Sequence, residues 1–524
     1  MSMNVSSRQA AVGSGKSRKS WSTCFTAPCR LQTAHCFRVL AVAFSIMSAP
    51  SQAELIVVEE DTDGGHLTTF KMTISPAAEP VPALKHRLVA REIDMKQGNA
   101  VPYYYRALMG VSRDDKVLRK KYGDAYDEWR RPADVPLSDL PLDKVRQAAN
   151  AWQGSVMENL REATLRRECN WEWDVQAMRG PDLIAFLLEE IQESRIVSRV
   201  LSLRTRLAMA ERDYQRAIDE LRMNYRLGRD VAKEPLLICD LVGIAICSTG
   251  NHSLIELIAQ PNSPNLYWAI AELPKPMVSV RESMRTEMSL GLRTFPFILD
   301  AETAEHSPEE WARLLANAVI EQQQLTTGGL RDDEQGRLMA RFGMTAMSAV
   351  AYPAAKQRLI DSGMDPQRVE GMPVGKVVSV DALRVYRRIA DDIEKWSYVP
   401  YRESRKHSMS DAFKSSSTVA SYNGFGYVLA NSLLPAVQAA RQAEQRLLWN
   451  TLGIQTVEAI RMHAAETGKL PEKLSEIEIV PVPRNPVTDE FYEYELRGET
   501  ATVDLPFSDG FAGIAWRFEI TLAP

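Results

Sequence analysis

The stretch Arg195–Val231, RIVSRVLSLRTRLAMAERDYQRAIDELRMNYRLGRDV, decides the fold class. Two runs of helical length meet at Glu211-Arg212-Asp213, and the second opens Tyr214-Gln215-Arg216-Ala217-Ile218. A polar, three-residue junction between amphipathic runs predicts an antiparallel helical hairpin. The same texture, with Leu, Ile and Ala at three- and four-residue spacings as in Leu183-Phe186-Leu187-Glu190-Ile191, extends from about Ala83 to Pro400. Its breaks fall at Pro132–Pro141, Gly180-Pro181, Gly228–Pro235, Pro261–Pro264, Pro274–Pro276, Thr327–Arg331 and Gly371–Gly375.

Within that stretch, Thr205, Tyr214, Ala217 and Leu221 occupy positions comparable to the helix crossing of a tetratricopeptide hairpin, which it resembles. The proline that closes such a repeat comes late here, as Pro235. The resemblance covers a single copy, and one copy cannot stack into a solenoid core. The fold class expected is therefore mainly α: antiparallel helical hairpins, solenoid-like or bundled, followed by a small C-terminal α+β module.

The flanks of residues 83–400 read differently. Residues 54–82 form a β-hairpin and a proline-rich lead-in: Leu55–Ile74 alternates and is β-branched around Asp61-Thr62-Asp63-Gly64-Gly65, then Pro76, Pro80 and Pro82 interrupt it. Residues 401–424 are a serine-rich linker, with seven serines between Ser404 and Ser421 and the bases Arg402, Arg405, Lys406 and Lys414 nearby. Residues 425–524 read as a long amphipathic helix, kinked at Pro435 and ending at Gly468, followed by alternating runs at Phe491–Leu496, Thr500–Leu505 and Ile514–Leu522. One helix on a small antiparallel sheet is the expected module.

That order resembles the globular part of type II secretion pseudopilins. The matching residues are Arg461, Ala465, Gly468, Leu470, Pro471, Leu474, Pro483, Asn485, Pro486, Phe491, Tyr494 and Gly498. Gly424-Phe425 stands where a prepilin is cleaved, but the fifth position is Leu429 rather than Glu, and Asn431 and Pro435 interrupt the apolar run. The resemblance implies the fold and not the secretion function. Asn99–Leu108, Cys169-Asn170-Trp171 and Pro264-Asn265-Leu266-Tyr267-Trp268 look like landmarks of large secreted bacterial helical proteins, a resemblance that implies architecture alone.

At 524 residues, 45% hydrophobic and 25% charged, the chain has room for about three domains. These proportions exclude a wholly disordered chain, a collagen-like repeat and a multi-span membrane protein. The near-balance of charge also speaks against a nucleic-acid partner. Residues 1–53 carry Arg8, Lys16, Arg18, Lys19, Arg30 and Arg38 without an acid, then the apolar run Val39–Met47 and the small-residue stretch Ser48–Ala53. This is the order of a signal peptide, with cleavage expected after Ala53 and Ala49 as second choice. The alternatives are an uncleaved interfacial anchor or a gene start placed too far upstream. The apolar run is too short to span a bilayer. Removing six bases leaves 57 against 68 acids, so the expected mature chain carries −11 rather than −5. Its three cysteines, Cys169, Cys239 and Cys247, are too few for a disulfide framework, although a bridge from Cys169 to either of the others stays open.

The chain holds no Walker loop, no Gly-x-Ser-x-Gly, no Ser-x-x-Lys and no His-Glu-x-x-His. No residue is assigned a catalytic, cofactor or metal role. The strongest metal pair is His252 with Glu256, one helical turn apart, yet two ligands do not make a site, and a helix-start His with Glu256 facing solvent is the simpler reading. His463 and Glu466 form a similar pair. Tyr103-Tyr104-Tyr105 and Trp171/Trp173 offer stacking surfaces for a sugar or peptide, but aromatics at helical spacing are more often core. Asp332-Asp333-Glu334 and Asp391-Asp392 lack the spaced ligands and glycine of a calcium loop. The expectation is a periplasmic or secreted helical scaffold that binds another envelope protein or a peptide. Its rivals are an envelope-polymer hydrolase with a dispersed active site and an accessory part of a pseudopilin-type secretion machine.

Overall fold

A computed structural model describes residues 55–62, 65–173, 188–293, 295–327, 334–407, 426, 430, 435–506 and 513–523. The expected leader, the break at Gly180-Pro181, Asp332-Asp333 and most of the serine-rich linker lie outside the described residues. The protein is mainly α with a small α+β module, and it divides into two compact units. The larger takes in Ala43–Pro296 and Leu383–Pro524, and the smaller contains Phe297–Ala382.

The larger unit opens with β1 (Leu55–Thr62), β2 (Gly65–Ile74), β3 (Lys96–Asn99), α1 (Val101–Tyr122), α2 (Leu142–Asn150), α3 (Ser155–Thr164) and β4 (Arg166–Glu168). It continues through α4 (Leu188–Ala210), α5 (Tyr214–Val231), α6 (Leu237–Ile258), α7 (Tyr267–Ala271) and α8 (Arg281–Arg293). The smaller unit holds α9 (Pro308–Thr327), α10 (Glu334–Asp361) and the first part of α11 (Val374–Glu394). The larger unit then resumes with the rest of α11, α12 (Pro435–Thr467), β5 (Glu493–Arg497), β6 (Thr500–Leu505) and β7 (Gly513–Leu522).

The hairpin of α4 and α5 turns where its polar junction lies. Arg212 takes φ 57°, and the Asp213 carboxylate accepts the Arg216 amide at 3.1 Å, capping α5. Thr205, Ala217 and Leu221 are buried, as a close helix crossing requires. α6 then packs on α5 more tightly than any side chain would allow. A Cβ on Gly243 would stand 2.4 Å from the Gly228 carbonyl oxygen. α6 is apolar on all sides, and among the described residues it is the one helix long and apolar enough to cross a membrane. Most of it is buried inside the protein, which is where a helix of that composition belongs in a globular core.

The strands β5, β6 and β7 pair antiparallel, as the alternation of their residues suggests. The lead-in hairpin does not stand by itself. β2 pairs in parallel with β7, Phe70 beside Phe518, so all five strands form one mixed sheet in the order β1-β2-β7-β6-β5. A parallel pair needs a long crossover, and here the crossover is the whole helical body, so nothing local in either segment announces the pairing. Phe70, Met72, Ile74, Ala501, Val503, Leu505, Trp516, Phe518 and Ile520 are buried, and Gly453 of α12 seats Leu505. The described part of the long C-terminal helix begins at Pro435, so the kink expected there lies at the edge of what the structure describes.

The smaller unit has its own core of Trp311, Ala355, Leu359, Val369, Val377 and Val378. Two ion pairs brace it: Arg358 grips Asp381 through both oxygens at 2.8 and 2.6 Å, and Lys376 reaches Glu305 at 2.6 Å.

Candidate functional site

His252 and Glu256 share a helix but not a site. His252 Nδ1 lies 2.9 Å from the Ser248 carbonyl, and its ring packs against Phe70 and Trp516 at centroid distances of 6.0 and 5.1 Å. Burial pushes the imidazole pKa down, so the ring stays neutral. Glu256 does not face solvent as the sequence suggested. It is buried, and Arg206 Nε donates to both of its oxygens at 3.0 Å, while the same guanidinium donates to the carbonyls of Trp129 and Val135. One buried pair thus ties α4 and α6 to the loop after α1. His463 is buried while Glu466 is exposed. Asp391 is exposed, and Asp392 pairs with Lys395 at 2.6 Å. His407 stacks on Trp396 at 3.9 Å. Among the described residues no three His, Cys, Asp or Glu side chains converge to hold a metal ion. Cys169, Cys239 and Cys247 are all free.

The aromatic landmarks do come together. β3 and β4 align Asn99 with Glu168, the Asn99 side chain donates to the Asn170 carbonyl at 2.7 Å, and it accepts the Asn170 amide at 3.0 Å. That clasp lays Trp171 parallel to Tyr104 at 6.0 Å, with Tyr105 and Trp173 against its other sides at 5.8 and 5.3 Å. Asp230 sits at the centre. Its carboxylate accepts from Tyr104 Oη at 2.7 Å and Arg226 Nε at 2.8 Å, and its carbonyl accepts from Trp171 Nε1 at 2.9 Å. Tyr104 and Trp171 are buried. The cluster is a polar-centred core joining α1, α5 and the strand after α3, not an open stacking platform.

The third landmark meets the C-terminal helix. Asn265 Nδ2 donates to the Glu458 carbonyl at 3.0 Å, and the Leu266 amide donates to the Glu458 carboxylate at 3.0 Å. Arg461 closes the group: Nη1 reaches Glu458 at 2.9 Å, Nη2 reaches the Ser263 carbonyl at 2.8 Å, and Nε reaches the Ser75 carbonyl at 3.1 Å. Arg461 belongs to the pseudopilin-like pattern, and in this chain it holds the lead-in, the helical body and α12 at one point. Elsewhere in that pattern, Gly468 ends α12 at φ 74°, Tyr494 donates to the Pro471 carbonyl, and the Asn485 side chain accepts the Val487 amide.

A fourth group gave no motif in the sequence. Asp240 near the start of α6 contacts the Ser283 hydroxyl of α8, and burial together with the nearby Glu444 and Glu282 charges pushes its carboxyl up to about 8. Burial pushes Glu444 of α12 up to about 7, against the opposing pull of Arg441 and the Val280 amide that it accepts. Burial raises Glu287 as well, while it accepts the Leu237 amide at the start of α6. Asp240 and Glu444 therefore keep protons into the neutral range. The oxygens of all three carboxyls point at helix ends and a serine in the interior, so they tie α6, α8 and α12 together.

The exposed large apolar side chains gather most densely on α10. Leu338, Met339, Phe342, Met347 and Val350 are each half or more exposed, Phe342 by 76%. Met344 and Ser348 are buried, and at 3.6 residues per turn Met339, Phe342, Ala346 and Val350 fall on the side away from them. From Phe342 to Ala355 the sequence contains no charged residue. The helix is therefore apolar on its outer side as well as its inner one, a pattern ordinarily confined to buried helices. The uncharged run was visible in the sequence. That one side of it stays bare was not.

No protein-family model, curated protein or solved structure matches the chain.

Proposed function

We propose that this protein is an exported helical scaffold of the cell envelope that works by binding protein through the outer face of α10. The observation that carries the reading is that exposed face, centred on Phe342 and free of charge for fourteen residues from Phe342 to Ala355. An apolar patch of several hundred Å² is about the largest that a monomeric surface ordinarily leaves open, and the largest patch on a protein is often its interaction site. The chemistry of the face selects among partners. A nucleic acid or an anionic lipid headgroup would need a row of Lys and Arg beside it, and Arg341 is the one base between Leu338 and Val350. Methionine at 339 and 347 suits a protein surface, because an unbranched thioether adapts to the shape it meets.

The interior supports the same reading. Three of the deepest ionisable groups of the larger unit, Glu256, Asp230 and Glu458, are each matched to an arginine on the same or a neighbouring helix, and a fourth, Asp240, to the Ser283 hydroxyl. Such pairs hold helices in register and leave function to the surface. Export follows from the leader, and N-terminal sequencing of protein from the envelope fraction is expected to begin at Glu54. The decisive test places a photo-activatable cross-linker at position 342 in the living cell. A saturable protein adduct at 342, absent when the probe sits at exposed Arg212, is expected. A probe at 342 that captures no protein would overturn the reading.

A further inference from the structure

We infer that the protein on the α10 face is a second copy of this chain, paired antiparallel about Ala346. The inference rests on the reading of that face as a protein-binding site, and names its occupant. Three observations converge on it.

The first is self-complementarity. A twofold axis at Ala346 sets Phe342 of one copy opposite Val350 of the other and Met339 opposite Pro353, so the large side chains on that side meet apolar ones, while Met347 at its edge falls opposite Thr345. Ala346 and Ala349 are exposed on the face, and a Cβ on Gly343 would meet nothing within 4 Å, so only small groups stand near the axis and a second helix can approach there. An isologous contact of this kind closes as a dimer and does not propagate.

The second is charge. Two copies of a net-negative chain repel, and they associate only through a surface that sets no like charges against each other. The outer side of α10 meets that condition over more than three helical turns, since it is uncharged from Phe342 to Ala355.

The third is area. Met339, Phe342 and Val350, with Gly343, Ala346, Ala349 and Pro353 exposed between them, present on the order of 500 Å² per chain, so a symmetric pair would bury about 1,000 Å², the lower bound for a specific interface. The expected dimer is accordingly a reversible one.

Sedimentation equilibrium of the purified full chain across a hundredfold range of concentration tests this directly. The wild type is expected to pass from one to two chain masses, and F342E to stay at one, with self-association weakened by about 100-fold or more. A charge on the exposed side of α10 leaves the core intact, so the far-ultraviolet circular dichroism should be unchanged. A346C supplies a readout that does not depend on weakening anything: at the twofold axis each new thiol faces its own copy, and mild oxidation should give a disulfide-linked dimer, whereas T345C at the rim should not. A wild type that remains at one chain mass throughout, or a dimer that survives F342E while A346C stays uncross-linked, overturns the inference. In either case, if the probe at 342 captures a different protein, the scaffold reading stands and only the choice of occupant fails. If it captures nothing, both fall.

Discussion

Arg461 Nη1 donates to Glu458 Oε2 at 2.9 Å, one helical turn apart on α12, with neither side chain exposed to solvent. The same guanidinium reaches the carbonyls of Ser75 and Ser263, so three distant segments share one buried charge. Removing one member of such a pair leaves the other charge buried without compensation, which costs about 3–5 kcal/mol. R461M is expected to lower stability by that amount in urea unfolding. The double variant E458M/R461M should lose less than the two single losses summed. R461K should not rescue, because an ammonium cannot present Nε, Nη1 and Nη2 in three directions at once.

Asp240 and Glu444 give the fold a pH dependence of known sign. Their carboxyls are held at about 8 and about 7 in the folded chain, far above the unfolded values near ~4. Between those limits the folded state binds more protons than the unfolded state, so the contribution is complete below about 4, declines as pH rises, and is gone once pH has passed about 7 for Glu444 and about 8 for Asp240. D240N is expected to be nearly neutral at pH 5 and stabilising at pH 9. Thermal unfolding of wild type and variant at the two pH values reads the difference, and a variant equally destabilised at both would contradict the assignment.

The Tyr104 hydroxyl is a neutral donor to a buried carboxylate, Asp230, at 2.7 Å. Y104F keeps the ring against Trp171 and removes only that bond, so a loss of about 2 kcal/mol is expected. Trp171 donates to the Asp230 carbonyl, and its fluorescence should shift in Y104F while the far-ultraviolet circular dichroism does not.

Two glycines make contacts of similar closeness against walls of different stiffness. A Cβ at Gly243 would meet the Gly228 carbonyl oxygen at 2.4 Å, and one at Gly453 would meet Leu505 Cδ2 at 2.2 Å. A leucine terminus can turn aside, but a helix backbone cannot move without separating α5 from α6. G243A is expected to destabilise by about 3 kcal/mol or more and G453A by roughly half of that, measured by urea midpoint.

Much of the architecture was readable one segment at a time. The junction at Glu211–Asp213, the helix stop at Gly468 and the turn at Gly498 were legible because a cap or a positive φ is set by residues within a few positions of it. The same locality misled at Glu256. Its spacing from His252 predicted one face of a helix, but whether that face meets water or Arg206, 50 residues away, is not a local property. The aromatic landmarks were recognised separately, and their convergence on Asp230 required the β3–β4 clasp. Asp240 and Glu444 left no trace at all, because an acid in an apolar run, like Asp240, or among polar neighbours, like Glu444, looks the same whether it ends in solvent or in the core.

Helix, turn and strand propensities follow from hydrogen bonds and sterics between near neighbours, so the linear order of residues was enough to establish a mainly helical chain with a small α+β end. Partnership was settled by packing. The sheet joins Thr73 to Thr521 across 448 positions, and Asn265 meets Glu458 across 193. Contacts of that range depend on which surfaces the helices bury together, and so does the bare side of α10. A fourteen-residue stretch without charge reads as core until the fold buries one side of it and, among the described residues, leaves the other exposed.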